Sequence, residues 1–111
     1  MNQLPFVDVP ASGAATAAVV WLHGLGDSGH GFSPIVPELR LPNGHGIRFL
    51  FPHAPEQRVT INNGMVMRAW YDIKTWDLQN RADEIGVRQS ALLVQNLLDK
   101  VIASGIPAEK I

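Results

Sequence analysis

The residues with the clearest capacity for chemistry lie in one glycine-dense loop, His23–Phe32, which reads HGLGDSGHGF. The loop directly follows an uncharged apolar run that begins near Thr16. In an α/β sheet, this order presents backbone groups to a ligand at the carboxyl end of a strand. The glycines at positions 24, 26, 29 and 31 predict a loop whose N–H groups turn outward, because glycine reaches positive φ without strain.

One interpretation of this loop is a dinucleotide site, because Gly24–Gly29 fits G-x-G-x-x-G after a strand. Two features disagree with it. The motif should open directly into a helix, whereas we expect the next helix to begin only at Ser33. The acidic residue expected about 20 positions further on would fall near Gly46, where the nearest charge is Arg48. A nucleotide-binding α/β domain is therefore the weaker alternative.

A second interpretation rests on Gly26–Gly29, which reads Gly-Asp-Ser-Gly like the nucleophile string of all-β serine proteases. A match of this length in a glycine loop is weak, and the rest of this chain is not all-β. We therefore expect the Ser28 hydroxyl to bond local backbone rather than to act as a nucleophile.

The histidines, at positions 23, 30, 45 and 53, form no His-x-x-x-His pair, and no carboxylate cluster accompanies them. The sequence therefore predicts no metal site and no cofactor. His23 lies between an apolar strand and a glycine turn. We expect it to hydrogen-bond loop backbone and, with Gly24 and Gly26, to hold the shape of the loop.

The interpretation that we favour is an oxyanion hole. Backbone N–H groups that stabilise a developing oxyanion need a loop without bulky side chains in the way. In α/β-hydrolases, one such donor comes from the loop after an early core strand, often in a His-Gly-Gly-Gly-like string. His23–Gly26, which reads HGLG, occupies that place.

Four motifs in order resemble the carboxylesterase / acyl-protein thioesterase family of α/β-hydrolases. They are the loop His23–Phe32, Pro52–Pro55 (PHAP), Trp70–Ile73 (WYDI) and a long helix that ends in Gly105–Pro107 (GIP). The resemblance extends from Thr16 to Ile111. It implies the amino-terminal half of an α/β-hydrolase fold, with a largely parallel sheet and flanking helices. It also implies a serine esterase that hydrolyses carboxylic esters or acyl thioesters.

The same resemblance implies roles for single residues. The Leu25 N–H matches an oxyanion donor, and its side chain would border the acyl channel. Trp70 matches the entry to a loop beside the pocket, although Trp70 and Tyr71 as core aromatics and Asp72 as a turn cap are equally good interpretations. Residues 73–82 correspond to the loop that covers the acyl site. Trp76 and Leu78 would contact the acyl chain there or anchor the loop.

The family's nucleophile lies in Gly-x-Ser-x-Gly, after a strand that we expect to begin near Lys110, and the triad aspartate and histidine follow it. None of these positions falls within residues 1–111. We therefore expect a chain cut before the nucleophile turn and inactive alone. A non-catalytic fragment or binding module is the alternative.

The loop must be positioned by a small set of elements. In chain order we predict an edge strand in Met1–Pro10, a strand buried on both faces at Thr16–His23, a short helix at Ser33–Arg40, a buried strand at Ile47–Phe51, a hairpin at Val59–Ala69, a helix at Asp83–Ser104, and the start of a third core strand at Ala108–Ile111. The long helix should bury one stripe at helical spacing, which comprises Val87, Ala91, Val94, Leu98 and Val101. The order of elements predicts a single α/β domain over residues 1–111.

Composition narrows the class of protein. With 111 residues and 46% hydrophobic content, the chain should form one globular core. Its net charge of −1 predicts no nucleic-acid partner and no attraction to an anionic membrane. The chain has no cysteine, no basic signal-peptide region and no apolar span, so we expect a cytoplasmic protein without a stable membrane anchor. Its partners should be a small acyl substrate and, through an open sheet edge, a second copy of itself.

Overall fold

The computed structural model describes residues 3–76 and 83–111. It contains five strands and three helices within these residues. They are β1 (Phe6–Val9), β2 (Ala17–Val20), α1 (Gly29–Phe32), α2 (Ile35–Glu38), β3 (Ile47–Pro52), β4 (Glu56–Val59), β5 (Met65–Arg68) and α3 (Glu84–Ala103). Short 3₁₀ turns at Thr60–Asn62 and Ala108–Lys110 complete the described part. The predicted α/β class is confirmed.

A three-stranded sheet in the order β1-β3-β2 forms the centre of the fold. β3 is antiparallel to β1 and parallel to β2. Its residues Phe49–Pro52 are buried, because this apolar run has a strand on each side. The predictions of a buried strand here and of an edge strand before Pro10 are confirmed.

β2 differs from its prediction. Only Ala18 is buried in β2, and Val19 is 37% exposed. Among the described residues, β2 pairs with β3 alone, so its other edge has no strand neighbour there. Within the described residues, the prediction that this strand is buried on both faces is therefore wrong.

The helix α3 begins and ends close to the predicted boundaries. The Asp83 carboxylate accepts a hydrogen bond from the Gly86 N–H at 3.1 Å, which caps the first turn. Gly105 follows the last turn with φ of 112°, the conformation in which glycine commonly ends a helix.

The buried face of α3 is not the predicted stripe. It comprises Gly86, Ser90, Leu97 and Val101, so only Val101 is common to both sets. Val87 and Ala91 are exposed. The small residues at 86 and 90 let the helix approach the backbone of Trp70–Tyr71, and this rotates the buried face by about one residue. Leu97 and Val101 then pack with Ala18 and Leu50 in the main core.

The predicted helix at Ser33–Arg40 is replaced by two single turns, α1 and α2. Ser33 does not begin a helix but ends α1, and Pro34 is the residue before α2. The earlier start arises because Ser28 caps α1: its hydroxyl accepts a hydrogen bond from the His30 N–H at 3.2 Å. Ala108–Lys110 forms a 3₁₀ turn rather than the start of a strand.

The predicted hairpin is confirmed with different strand limits. β4 pairs antiparallel with β5, and Val59 lies opposite Met65. Asn63 and Gly64, with φ of 58° and 71°, turn the chain after the 3₁₀ turn. The connection therefore has more residues than a two-residue turn. Behind it, Val59, Ala69 and Ile73 form a second small core.

Candidate active site

His23 fixes the start of the glycine loop. Its side chain is buried, and the Ala54 N–H donates to its Nε2 at 3.0 Å. Nε2 therefore carries no proton, and the protonated Nδ1 donates to the Gly24 carbonyl at 2.6 Å. That carbonyl belongs to the same peptide unit as the Leu25 N–H. Since a trans peptide is planar, this bond directs the Leu25 N–H away from the imidazole.

Trp70 holds the loop from the other side. Its indole Nε1 donates to the His23 carbonyl at 2.8 Å, and its ring lies 5.3 Å from the His23 ring. The Trp70 carbonyl in turn accepts a hydrogen bond from the buried Ser90 hydroxyl on α3. Trp70 therefore connects α3 to the glycine loop and is half-buried between them.

Arg68, the last residue of β5, makes two further connections. Its carbonyl accepts a hydrogen bond from the Gly26 N–H at 2.9 Å. Its guanidinium donates to the Ala54 carbonyl at 2.7 Å and lies 3.8 Å from the Glu56 carboxylate. The ends of β3 and β5 thus hold the loop at Gly26 as well as at His23.

Leu25 lies at the outer end of this arrangement. Its side chain is 42% exposed. The N–H groups of Gly26 and Asp27 donate to the carbonyls of Arg68 and Gly24, whereas the Leu25 N–H has no acceptor in the described part of the chain. A backbone donor is therefore available beside backbone groups that are fixed by hydrogen bonds.

Only one glycine of the loop needs its conformational freedom. Gly26 has φ of 77°, while Gly24, Gly29 and Gly31 do not have positive φ. The prediction that all four use positive φ is therefore wrong. Gly29 is needed for close approach, because a Cβ there would overlap the Phe51 carbonyl oxygen. A Cβ at Gly31 would overlap the Asp27 carboxylate, and Gly24 has open space around it.

The backbone N–H groups at the start of α1 already donate to side chains of this chain. The helix opens at Gly29, so the expectation of a delayed helix is wrong. However, the Asp27 carboxylate accepts the Ser28 N–H at 2.8 Å, and Ser28 accepts the His30 N–H. The negative charge of Asp27 here opposes a phosphate group. Ser28 caps this helix, and no side chain that could act as a base hydrogen-bonds to its hydroxyl among the described residues.

The side chains of His53 and His45 also bond to backbone. His53 Nδ1 accepts the Gly29 N–H at 3.0 Å, and its ring lies 5.2 Å from that of His30. Burial and, next, the Arg68 guanidinium lower the pKa of His53. His45 Nδ1 accepts the Ile47 N–H at 2.8 Å. In residues 3–76 and 83–111, no group of three or more His, Cys, Asp or Glu side chains could hold a metal ion.

In the segment after Trp70, the contacts of Asp72 support its interpretation as a turn cap. The Asp72 carboxylate accepts hydrogen bonds from Thr60 N–H at 2.8 Å and Thr60 Oγ1 at 2.6 Å. These bonds lower the pKa of Asp72. Tyr71 packs against the core of Val59, Ala69 and Ile73. The Trp76 side chain is 76% exposed.

Leu78, the other predicted acyl contact, lies outside the described residues, as do residues 77–82 of the predicted covering loop. The structure brings together four of the predicted site residues, namely His23, Gly24, Gly26 and Trp70. Leu25 lies beside them on the same loop.

A cavity of about 710 Å³ lies next to this network rather than at Leu25. Its walls include the segment Gln3–Pro5, the chain at His53–Gln57, Arg68, Trp70 and the face of α3 from Gly86 to Asn96. Leu25 does not line it. Trp70 and Arg68 therefore separate a groove on one side from the glycine loop on the other.

Sequence reasoning missed Ser90, Ala54 and Arg68. Ser90 carried a usable signal, because a small polar residue one turn after Gly86 is typical of a close helix contact. Ala54 acts through its backbone alone, and Arg68 through both its carbonyl and its guanidinium. Side-chain type does not reveal a backbone role, so these contacts follow only from the fold.

No helix in the part of the chain that the structure describes combines the length and apolar character needed to cross a membrane.

Comparisons with known proteins agree on one group. The phospholipase/carboxylesterase family matches residues 3–111. Acyl-protein thioesterase 1 of Schizosaccharomyces pombe is 44% identical over 109 residues, which cover 98% of this chain and 48% of the relative. Acyl-protein thioesterase 1 of Yarrowia lipolytica is 41% identical over 113 residues and is covered to 50%. The chain thus spans about half the length of these curated relatives.

Solved structures give the same result. Zea mays acyl-protein thioesterase 2 superposes with a TM-score of 0.76 at 35% identity, over 86% of this chain and 40% of that one. Arabidopsis thaliana SOBER1 superposes with a TM-score of 0.73 at 37% identity, over 80% of this chain and 43% of that one. These are α/β-hydrolase structures, and the described residues share their fold.

Proposed function

Because the chain belongs to the phospholipase/carboxylesterase family, we propose that the protein which carries it is a serine hydrolase of carboxylic esters or acyl thioesters. The observation that supports this most is the Leu25 N–H. It has no acceptor among the described residues, while His23 holds the peptide that carries it and Arg68 holds the peptide that follows. The acyl-protein thioesterases to which the chain is similar support the same reaction class.

In our proposal this N–H is one donor of an oxyanion hole. When a nucleophile attacks an acyl carbonyl, negative charge develops on the carbonyl oxygen. A donor that is already oriented stabilises that charge without reorganisation. His23 strengthens the donor, because its Nδ1–H bond to the Gly24 carbonyl polarises the peptide that carries the Leu25 N–H.

The nucleophile, base and orienting acid of the reaction are not assigned to any residue in 1–111. Ser28 is engaged as a helix cap, and His23 accepts at Nε2 and donates at Nδ1 to backbone. We propose that the three catalytic groups come from sequence that corresponds to the other half of the relatives. This chain supplies the oxyanion loop and part of the acyl site.

We further propose that the Leu25 side chain borders the acyl group and that Trp76 contributes to the same apolar surface. Both side chains are exposed in the described residues. Leu78 is proposed as a third contact from its position in the sequence. The substrate would then be a small acyl ester or thioester, with no cofactor.

The experiment that tests this function is an assay of the full gene product on p-nitrophenyl butyrate and an acyl thioester. We expect turnover on both and covalent labelling by a fluorophosphonate, which reacts with activated serines. Residues 1–111 alone should give background rates. Absence of turnover and of labelling in the full gene product would contradict the proposal, and turnover by residues 1–111 that Ser28→Ala abolishes would favour the Gly-Asp-Ser-Gly alternative.

We also propose a cytoplasmic location and self-association through the outer edge of β2. The first rests on composition, because a chain without cysteine needs no oxidising compartment for disulfides. Cell fractionation tests it. The second rests on the unpaired edge of β2 within the described residues, since unpaired strand edges readily add another strand.

A further inference from the structure

We infer that Trp70 is a positioning residue for the oxyanion donor and that Ser90 holds it there from α3. This inference rests on the proposed function. It concerns how the Leu25 N–H is held, not whether the protein hydrolyses esters.

Hydrogen bonds within the glycine loop hold the peptide that carries the Leu25 N–H. Gly24 lies between the His23 carbonyl and the Leu25 N–H, and a Cβ at Gly24 would meet nothing within 4 Å. The Gly24 carbonyl of that peptide accepts from His23 Nδ1 and from the Asp27 N–H. Hydrogen bonds from outside the loop hold the peptides before and after it.

Trp70 and Arg68 make those hydrogen bonds. The Trp70 indole donates to the His23 carbonyl at 2.8 Å, and this carbonyl belongs to the peptide just before the one that carries the donor. The Arg68 carbonyl accepts from Gly26 on the other side. Arg68 makes its contact through backbone. Trp70 makes its contact through a side chain, so substitution can test it.

The helix α3 keeps Trp70 in place. Ser90 is only 7% exposed, and its hydroxyl donates to the Trp70 carbonyl. Asp83 at the start of α3 also accepts the Asp72 N–H at 3.4 Å. A Cβ built at Gly86 would lie 3.2 Å from the Tyr71 Cβ, so the helix lies directly against this segment. A rigid helix is thus connected through Trp70 to the loop.

A purely structural role for Trp70 makes a different prediction. A core aromatic would matter for the area that it buries, and its N–H would be dispensable. A positioning residue matters through its N–H. Replacement by a ring without that donor should then lower kcat and leave substrate binding nearly unchanged.

The test uses Trp70→Phe in the full gene product. We expect kcat to fall about 10- to 100-fold, as for a misplaced reacting group, with KM changed less than twofold. Amide hydrogen exchange at Gly26, whose N–H donates to the Arg68 carbonyl, should accelerate. Ser90→Ala should change both readouts in the same direction by less. Because Phe also removes volume, benzothienylalanine at position 70 is a second variant that keeps the shape and removes only the donor.

Trp21→Phe is the matched control. Trp21 stacks on Phe32 at 5.4 Å and lies 6.0 Å from Phe51, and it makes none of the hydrogen bonds that hold His23, Gly24 and Gly26. We expect it to lower thermal stability with kcat within twofold. Wild-type kcat in both position-70 variants, or equal losses at positions 21 and 70, would overturn the inference. An inactive wild-type protein would instead refute the proposed function and, with it, this inference.

Discussion

The Leu25 side chain and the Leu25 N–H should have separable effects. The side chain is 42% exposed and, in the proposal, borders the acyl group. Leu25→Ala should leave kcat for acetate esters nearly unchanged and raise KM for octanoate esters, because each lost buried CH₂ costs about 0.8 kcal/mol. The measurement is kcat and KM across p-nitrophenyl esters of increasing length. An equal loss of kcat at every length would contradict the assignment.

His53 should make stability depend on pH. Its pKa is lowered by burial and by Arg68, with smaller effects from His30 and His23. Only the neutral ring can accept the Gly29 N–H. Its contribution to stability is therefore complete above about pH 6.5, the ordinary value for histidine. It is lost as pH falls below that value toward the lowered pKa of the folded state.

The measurement is the urea midpoint of the full gene product between pH 7.5 and 5. His53→Asn is the informative variant, because an amide oxygen can replace Nδ1 as the acceptor but does not titrate. We expect a flatter pH dependence in this variant than in the wild type. The same slope in both proteins would assign the acid sensitivity to other groups.

At the level of single residues, the sequence predicted where the loop lies but not which residues hold it by hydrogen bonds. The string HGLG was sufficient to predict a backbone donor at Leu25, which remains a prediction. Gly26 was the one glycine whose positive φ was correctly anticipated. Gly29 is needed for packing against Phe51, a contact 22 positions away along the sequence. Such contacts depend on tertiary structure and have no local signature.

At the level of elements, Gly29 provides a sharp packing test. A Cβ at this position would overlap the Phe51 carbonyl oxygen, which is backbone of the central strand and cannot move aside easily. Gly29→Ala should therefore destabilise the full gene product by about 1–3 kcal/mol, the usual cost of overpacking. Gly24→Ala is the matched control, because nothing lies within 4 Å of its Cβ. Urea unfolding of both variants is the measurement, and equal midpoints would contradict the described packing.

The boundaries of α3 were predictable and its buried face was not. Asp83 and Gly105 act on the backbone next to them, so the sequence alone defines where the helix begins and ends. The buried face depends on what the helix packs against. Ser90 donates to the Trp70 carbonyl and Gly86 lies against the Tyr71 Cβ, so that face is less hydrophobic than the stripe that the apolar residues predicted.

The short helices show how local signals can compete. Ser28 and Ser33 are both suitable N-cap residues. In the structure, Ser28 is the N-cap residue of α1. The Gly29 N–H donates to His53, and the Asp27 carboxylate accepts the Ser28 N–H. Because His53 follows β3, the sequence around residue 30 could not reveal its contact with the Gly29 N–H.

At the level of the whole molecule, the unpaired edge of β2 predicts behaviour in solution. Val19 is exposed in β2, and only β3 pairs with this strand among the described residues. Residues 1–111 expressed alone should therefore associate, because open edges are templates for strand addition. Size-exclusion chromatography with hydrogen exchange measures this.

Val19→Lys is the matched variant, since a charged side chain on an edge opposes pairing. We expect it to reduce association and to leave exchange at Phe49–Phe51 unchanged. A monodisperse wild-type monomer with strongly protected amides at Val19 and Val20 would contradict the prediction and favour a self-sufficient domain.

The most direct test of the central proposal replaces Leu25 in the full gene product by its α-hydroxy acid. This substitution keeps the side chain and converts the 24–25 amide to an ester, which removes the N–H and leaves the Gly24 carbonyl as a weaker acceptor for His23 Nδ1. We predict that kcat for p-nitrophenyl butyrate falls about 10²- to 10³-fold, the usual loss for one oxyanion donor, with KM nearly unchanged. Unchanged kcat in a correctly folded protein would contradict the assignment of Leu25 as an oxyanion donor.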